Sequence, residues 1–186
     1  MKYRALGIFS ISAVVTLAVL SVLTIQAQSG VFALTSTAFE DGGEIPLAHS
    51  CFSSNTSPEL EWENPPEGTE SFALIMIDID NPFGGGFTHW VIYDIQSTSR
   101  KLDRALVKRT TLPGGVKQGL TDSLGIGYLG PCPPQGVGSH RYVFTLYALD
   151  VVLTDLEPRV RRSALEQAME DHILAETELL GTYENN

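Results

Sequence analysis

The sequence predicts an all-β core, a sandwich or a barrel, with one amphipathic helix at its C-terminal end. Three observations carry this. Short runs rich in apolar, β-branched and aromatic residues stand at 71–78 ("SFALIMID"), 89–95 ("HWVIYDI") and 140–150 ("HRYVFTLYALD"). Proline- and glycine-rich turn signals separate them. Past Pro158 the apolar spacing changes from that of a strand to that of a helix.

In chain order, Lys2 and Arg4 come first, followed by an uncharged apolar run over 5–27. A basic start, an apolar middle and a small residue at Ala27 make the pattern of a secretory signal, with a second cut available after Ala33. The run is also long enough to span a bilayer, so an uncleaved N-terminal anchor is the other reading. Both keep the basic end in the cytoplasm and export residues 28–186, as one domain, to a periplasmic or extracellular place.

The whole chain of 186 residues has a net charge of −10, and removing Lys2 and Arg4 leaves ten basic against twenty-two acidic residues. A nucleic-acid or anionic-membrane binder needs a basic stripe, so this balance argues against both; membrane contact is expected only through 1–27. Export also decides how the two cysteines read. In an oxidising compartment a pair of cysteines is expected to be a disulfide, here Cys51–Cys132.

From Val31 onward, "FALTSTAF", "DGGEIPLAHSC" and "SSNTSPELEW" alternate short apolar runs with turns, and "NPPEG" closes this part. Residues 71–78 are almost continuously apolar, as in a strand buried on both faces. At the far end, "PRVRRSALEQAMEDHILAETELLG" puts Val160, Ala164, Ala168 and Ile173 on one stripe, with Leu165, Met169 and Leu180 beside it. Thr154 or Asp155 suits the helix start, Pro158 its first turn and Gly181 its end.

Ionisable side chains mark the ends of the three strong strands. Asp78 ends the first, His89 opens the second and His140 opens the third. An antiparallel pairing of 71–78 with 89–95 brings Asp78 and His89 to one end of the sheet. Alternation puts His140 and Tyr142 on the face of Phe144 and Leu146, pointing inward. Each alone reads best as a strand cap. Together they form a rim where two imidazoles can gain protons when an anion arrives, and where "GPCPPQG" can offer backbone N–H groups. That is a small pocket for a phosphate or carboxylate.

A second reading makes Asp78, Asp80, His89 and His140 the ligands of a metal-dependent phosphatase or hydrolase. No HExxH pair, G-x-S-x-G elbow or phosphate-binding Walker loop supports an enzyme, and "FGGGF" is a flexible turn. No cofactor or metal is therefore expected. Asn55-Thr56-Ser57 fits a glycosylation acceptor but reads equally as a turn. Trp62 and Trp90 are expected in the core or lining the pocket, and His49 and His172 on the surface or as satisfied core residues.

"SPELEWENPPEGTESFALIMIDIDNP", the later "HWV" and "GPCPPQGVGSHRYVFTLYAL" resemble the phosphatidylethanolamine-binding proteins, also called Raf kinase inhibitor-like proteins. The "GPCPP" form and the short loop before His-Trp are similar to the bacterial and archaeal branch. The resemblance runs over about 32–183. It implies an antiparallel β-sandwich with small flanking helices and an anion pocket of Asp78, His89, His140 and Tyr142, walled by Cys132, Pro133 and Pro134. Asp80 and Trp90 stand beside that set, and Tyr183 would act as a C-terminal gate. The implied ligand is a phosphate or a phosphoethanolamine-like head group, with a protein partner besides. The family's Asp-Pro-Asp-x-Pro motif stands here as "DIDNP", so Ile79 carries a backbone N–H that a proline would lack. Members are associated with inhibition of kinases or proteases, of which the kinase role does not suit an exported domain.

Overall fold

Two β-sheets pack face to face in the computed structural model, which describes residues 30–82 and 84–186. The expected signal or anchor over 1–27 lies outside the described residues. In chain order the elements are β1 (Ala33–Thr35), β2 (Gly43–Glu44), β3 (Leu60–Glu63), β4 (Ser71–Asp78), β5 (Phe87–Gln96), β6 (Lys101–Leu102), β7 (Lys117–Gln118), β8 (His140–Leu149), α1 (Arg162–Met169) and β9 (Ile173–Tyr183). Single turns of 3-10 helix cover Leu47–His49 and Pro113–Gly115. The small sheet runs β1-β3-β6 and the large one β2-β9-β8-β4-β5-β7. The pairings are antiparallel except β2 with β9, which is parallel.

The apolar run of β4 is explained by burial on both faces. Phe72, Leu74 and Met76 point between the sheets, where they meet Leu34, Leu60, Trp62 and Leu102 of the small sheet. Ala73 and Ile75 point the other way, into a second cluster with Val91, Tyr93, Leu165 and Met169. So α1 covers the outer face of the large sheet with its two buried residues, Leu165 and Met169.

The C-terminal helix is shorter than its spacing suggests. It starts at Arg162, with residues 154–161 irregular, and ends at Met169; Ile173 and Leu180 then lie in β9. β9 pairs along β8 from Leu149↔Ile173 to His140↔Tyr183. Sheet pairing over that length outweighs the modest helix preference of "AETELL". Near its end β9 alternates as a strand should, with Leu179, Gly181 and Tyr183 buried and Leu180 and Thr182 less so.

Candidate functional site

β4, β5 and β8 lie side by side in the large sheet, so Asp78, at the last position of β4, comes level with the first residues of β5 and β8. A cavity of about 540 Å³ opens there, lined by Asp78, His89 and His140 together with Phe87, Leu129 and the loop residues Cys132, Pro133 and Pro134. Asp78, His89 and His140 are all buried.

His89 reaches the cavity through a β-bulge. Met76 pairs with Trp90 and Ile77 with Thr88, leaving His89 as the extra residue. Regular alternation would have put it on the outer face with Val91 and Tyr93. Instead its ring meets the ring of Tyr142 edge-on at 5.1 Å, and Tyr142 belongs to the core between the sheets.

Both imidazoles are held in one tautomer. His140 Nδ1–H donates to Asp78 Oδ2 at 2.8 Å, and His89 Nδ1–H donates to the Leu129 carbonyl at 2.8 Å. The acceptors can take only a proton-bearing nitrogen, so each Nε2 carries a lone pair when its ring is neutral. Burial pushes the His89 pKa down, against the pull of the Leu129 carbonyl and the Asp78 charge. Beneath them, burial and then the Asp78 charge push the Tyr142 phenol well up, and its buried hydroxyl lies near the Cys132 backbone and the Asp78 carboxylate without a well-formed hydrogen bond to either.

The wall carrying Cys132 is fastened to the 49–55 segment. Tyr128 Oη–H donates to the His49 carbonyl at 2.8 Å, and Gly130 N–H to Asn55 Oδ1 at 2.8 Å. Cys51 N–H donates to the Pro131 carbonyl at 3.0 Å. The Cys51–Cys132 disulfide, with Cα atoms 5.4 Å apart, closes the same seam. A Cβ on Gly130 would run into the His49 carbonyl, so the backbones touch where only glycine fits. The Gly130 N–H is therefore spent on Asn55 and is not open to an anion.

Asp78, His89, His140, Cys132, Pro133 and Pro134 thus come together as the sequence suggested. Tyr142 lies beneath them. Asp80 does not join; it faces Arg141, taking bonds from the Arg141 N–H, Nε and Nη2 at 2.7–2.9 Å, which hold its carboxyl below the usual range. Trp90 is core, its Nε1–H donating to Gln118 Oε1. Tyr183 pairs opposite His140 in the sheet and stacks on Phe52 at 6.3 Å between ring centres. The Ile79 N–H donates to the Arg141 carbonyl at 3.0 Å, so the position that could have been proline extends the β4–β8 ladder. His49 is a satisfied core residue, its Nδ1–H donating to the Thr56 carbonyl, and His172 is half-buried at the surface, its Nδ1–H donating to Asp150 Oδ1.

Asn81, Pro82, Phe87, Ser123 and Leu129 also line the cavity. The first two belong to "DIDNP"; Phe87 opens β5, Ser123 is in a turn and Leu129 in irregular backbone, and none of these three has a chemical signature in the sequence. Asp80 being turned away, the four-ligand metal set is not assembled, and among the described residues no group of three or more His, Cys, Asp or Glu is placed to hold a metal ion.

The model of the family described as phosphatidylethanolamine-binding protein matches residues 35–184. A UPF0098 protein of Aquifex aeolicus is 42% identical over 161 residues, covering 87% of this chain and 93% of its own. One from Methanothermobacter thermautotrophicus is 46% identical over 150 residues, covering 81% and 97%. The crystal structure of Escherichia coli YbcL, described as a new member of the mammalian family, superposes with a TM-score of 0.78 at 32% identity, covering 83% of this chain and 99% of that one. The strand ends, the "GPCPP" wall and these matches lead to one conclusion: the chain belongs to the phosphatidylethanolamine-binding protein family and is of its UPF0098 type.

Proposed function

We propose that this is an exported, non-enzymatic binding protein whose pocket takes a phosphate or a phosphoryl head group of the phosphoethanolamine kind. One observation carries the reading. Two imidazoles, each with its Nδ1–H already committed, line one cavity among apolar walls. A neutral Nε2 accepts a proton from a protonated phosphoryl oxygen, or takes up a proton and becomes a cationic donor to the anion. Among the described residues no lysine or arginine lines the cavity, and Arg141 is turned to Asp80. Binding therefore carries a proton in with the ligand.

Export is supported by the uncharged run 5–27 and by the disulfide, which suits an oxidising compartment. A cut after Ala27 leaves β1 whole and Phe32 stacked on Phe72, whereas one after Ala33 removes Phe32 and the first residue of β1.

The test is an amide NMR titration with phosphate and with phosphoethanolamine, on wild type and His140→Ala, with metal content assayed alongside. Shifts centred on residues 78, 89, 132–134 and 140, lost in His140→Ala, are expected. Shifts confined to distant residues would sink the pocket, and stoichiometric zinc or manganese with phosphatase activity lost on chelation would replace it with an enzyme.

A further inference from the structure

In this acidic chain the uncommitted cations gather on one face, away from the pocket walls. Lys101, Lys117, Arg141 and Arg162 are in ion pairs, and Arg100 is spent on the carbonyls of Ser97 and Ser99. Arg104, Lys108, Arg109, Arg159 and Arg161 are exposed and make no ion pair or side-chain hydrogen bond among the described residues.

These five come from two segments that one buried residue draws together. Gln118 Nε2 donates to the carbonyls of Val107 and Arg109 at 2.9 and 2.8 Å. Its own carbonyl accepts from the Arg159 N–H at 3.2 Å, and the Leu120 N–H donates to the Val160 carbonyl at 2.8 Å. Segments 104–109 and 159–161 therefore flank β7, the edge of the large sheet.

Positive charge is in excess on this face. Asp103 is paired with Lys101, which leaves Asp155 and Glu157, in the loop before Arg159, against five cations. Lys108 is pushed down by burial alone, with no carboxylate pulling it back. Ala105 and Arg159, neither of them glycine, are held at φ of 59° and 74°, a conformation that costs energy and persists where the surroundings impose it. Val107 is 52% exposed between the cations. Next to Arg161, Arg162 is committed elsewhere, its Nη1–H donating to the Gly85 carbonyl at 3.0 Å.

We propose that this face is a docking surface for an acidic, extended protein segment carrying an apolar residue for Val107. A bilayer or a nucleic acid presents negative charge over a wide area and meets the repulsion of the whole chain, at −10. A short acidic segment feels only charges within about 8–10 Å at ordinary salt. This surface is separate from the anion pocket and does not depend on what the pocket binds.

The test uses the full chain in non-ionic detergent and fluorescence anisotropy. Its probes are a labelled peptide of repeated Glu-Val-Glu-Ser units and the counterpart with Gln for Glu. The acidic peptide is expected to bind at about 20 mM salt and to weaken about tenfold by about 150 mM. The triple variant Arg104→Gln, Arg109→Gln, Arg159→Gln should weaken it by about tenfold, and Lys101→Gln, on the small sheet, by less than about twofold. Should the triple variant melt early, the double variant Lys108→Gln, Arg161→Gln is judged by the same tenfold criterion. No binding at low salt, equal binding of the Gln peptide, or equal binding by the variants overturns the proposal. So does tighter partition onto phosphatidylglycerol vesicles than onto the peptide.

Discussion

Asp78 and His140 meet at 2.8 Å across sixty-two positions of sequence, both buried, with the carboxylate accepting from Nδ1–H. Asp78 Oδ1 also accepts from the Asp80 N–H at 3.0 Å. Asp78→Asn places an amide NH₂ against one of these two donors. The loss is about 2 kcal/mol, the usual range for hydrogen bonds to a charged group. Thermal unfolding should show a lower midpoint, and a melt unchanged from wild type would mean the dyad contributes nothing to stability.

His89 gives a pH dependence with a defined sign. Its folded pKa lies below the ordinary 6.5 because of burial, so the unfolded chain binds more protons between the two values. Its contribution to stability is present above about pH 6.5 and is lost as pH falls toward the folded pKa. Denaturant titrations from pH 8 to 5 should show that slope, and His89→Gln should flatten it. Phosphate affinity should run the opposite way, rising as pH falls, with net proton uptake seen as a buffer-dependent heat of binding.

The disulfide stabilises the fold more than it shapes the pocket. It closes a separation of 81 residues, for which the chain-entropy argument gives about 4.5 kcal/mol. The wall it joins is also held by the bonds of Tyr128, Gly130 and Cys51, and by Asn185 Nδ2–H to the Pro133 carbonyl. A Cys51→Ser, Cys132→Ser variant should melt far lower yet keep its phosphate affinity within about threefold while folded, a difference under 1 kcal/mol. Mass spectrometry showing two alkylatable thiols in the wild type without reductant would remove the basis of this expectation.

Gln118 is the buried residue whose loss should be felt most widely. Its side chain satisfies Trp90 Nε1–H and the carbonyls of Val107 and Arg109. Gln118→Leu strips all three, at a cost of about 3 kcal/mol or more for buried polar groups left unmatched. Hydrogen exchange should accelerate over 105–110, and unchanged exchange there would show that the segment is held by other contacts.

Much of the fold was legible because β4, β5 and β8 carry their signal locally, in consecutive apolar and β-branched residues. β9 was not. Val160, Ala164, Ala168 and Ile173 read as one helical stripe with Leu165, Met169 and Leu180 beside it, and only the pairing with β8 shows where the helix ends. In the site, antiparallel pairing brought Asp78 and His89 to one end of the sheet, and alternation turned His140 inward. The inward face of His89 was not legible, since alternation sends it to the other face and the bulge alone turns it inward. Asn55, read as a turn or glycosylation acceptor, proves to hold the pocket wall through Gly130.

The sequence by itself determined the β class, the three central strands, the two cysteines that pair and the ionisable residues at the strand ends. Those properties follow from neighbours in the chain, through alternation, turn chemistry and burial. Tertiary structure decided which nitrogen of each histidine faces the cavity, that Asp80 turns away to Arg141, and that two distant basic segments share the β7 edge. Each depends on a partner remote in sequence, and spacing along the chain carries no record of which remote groups will meet.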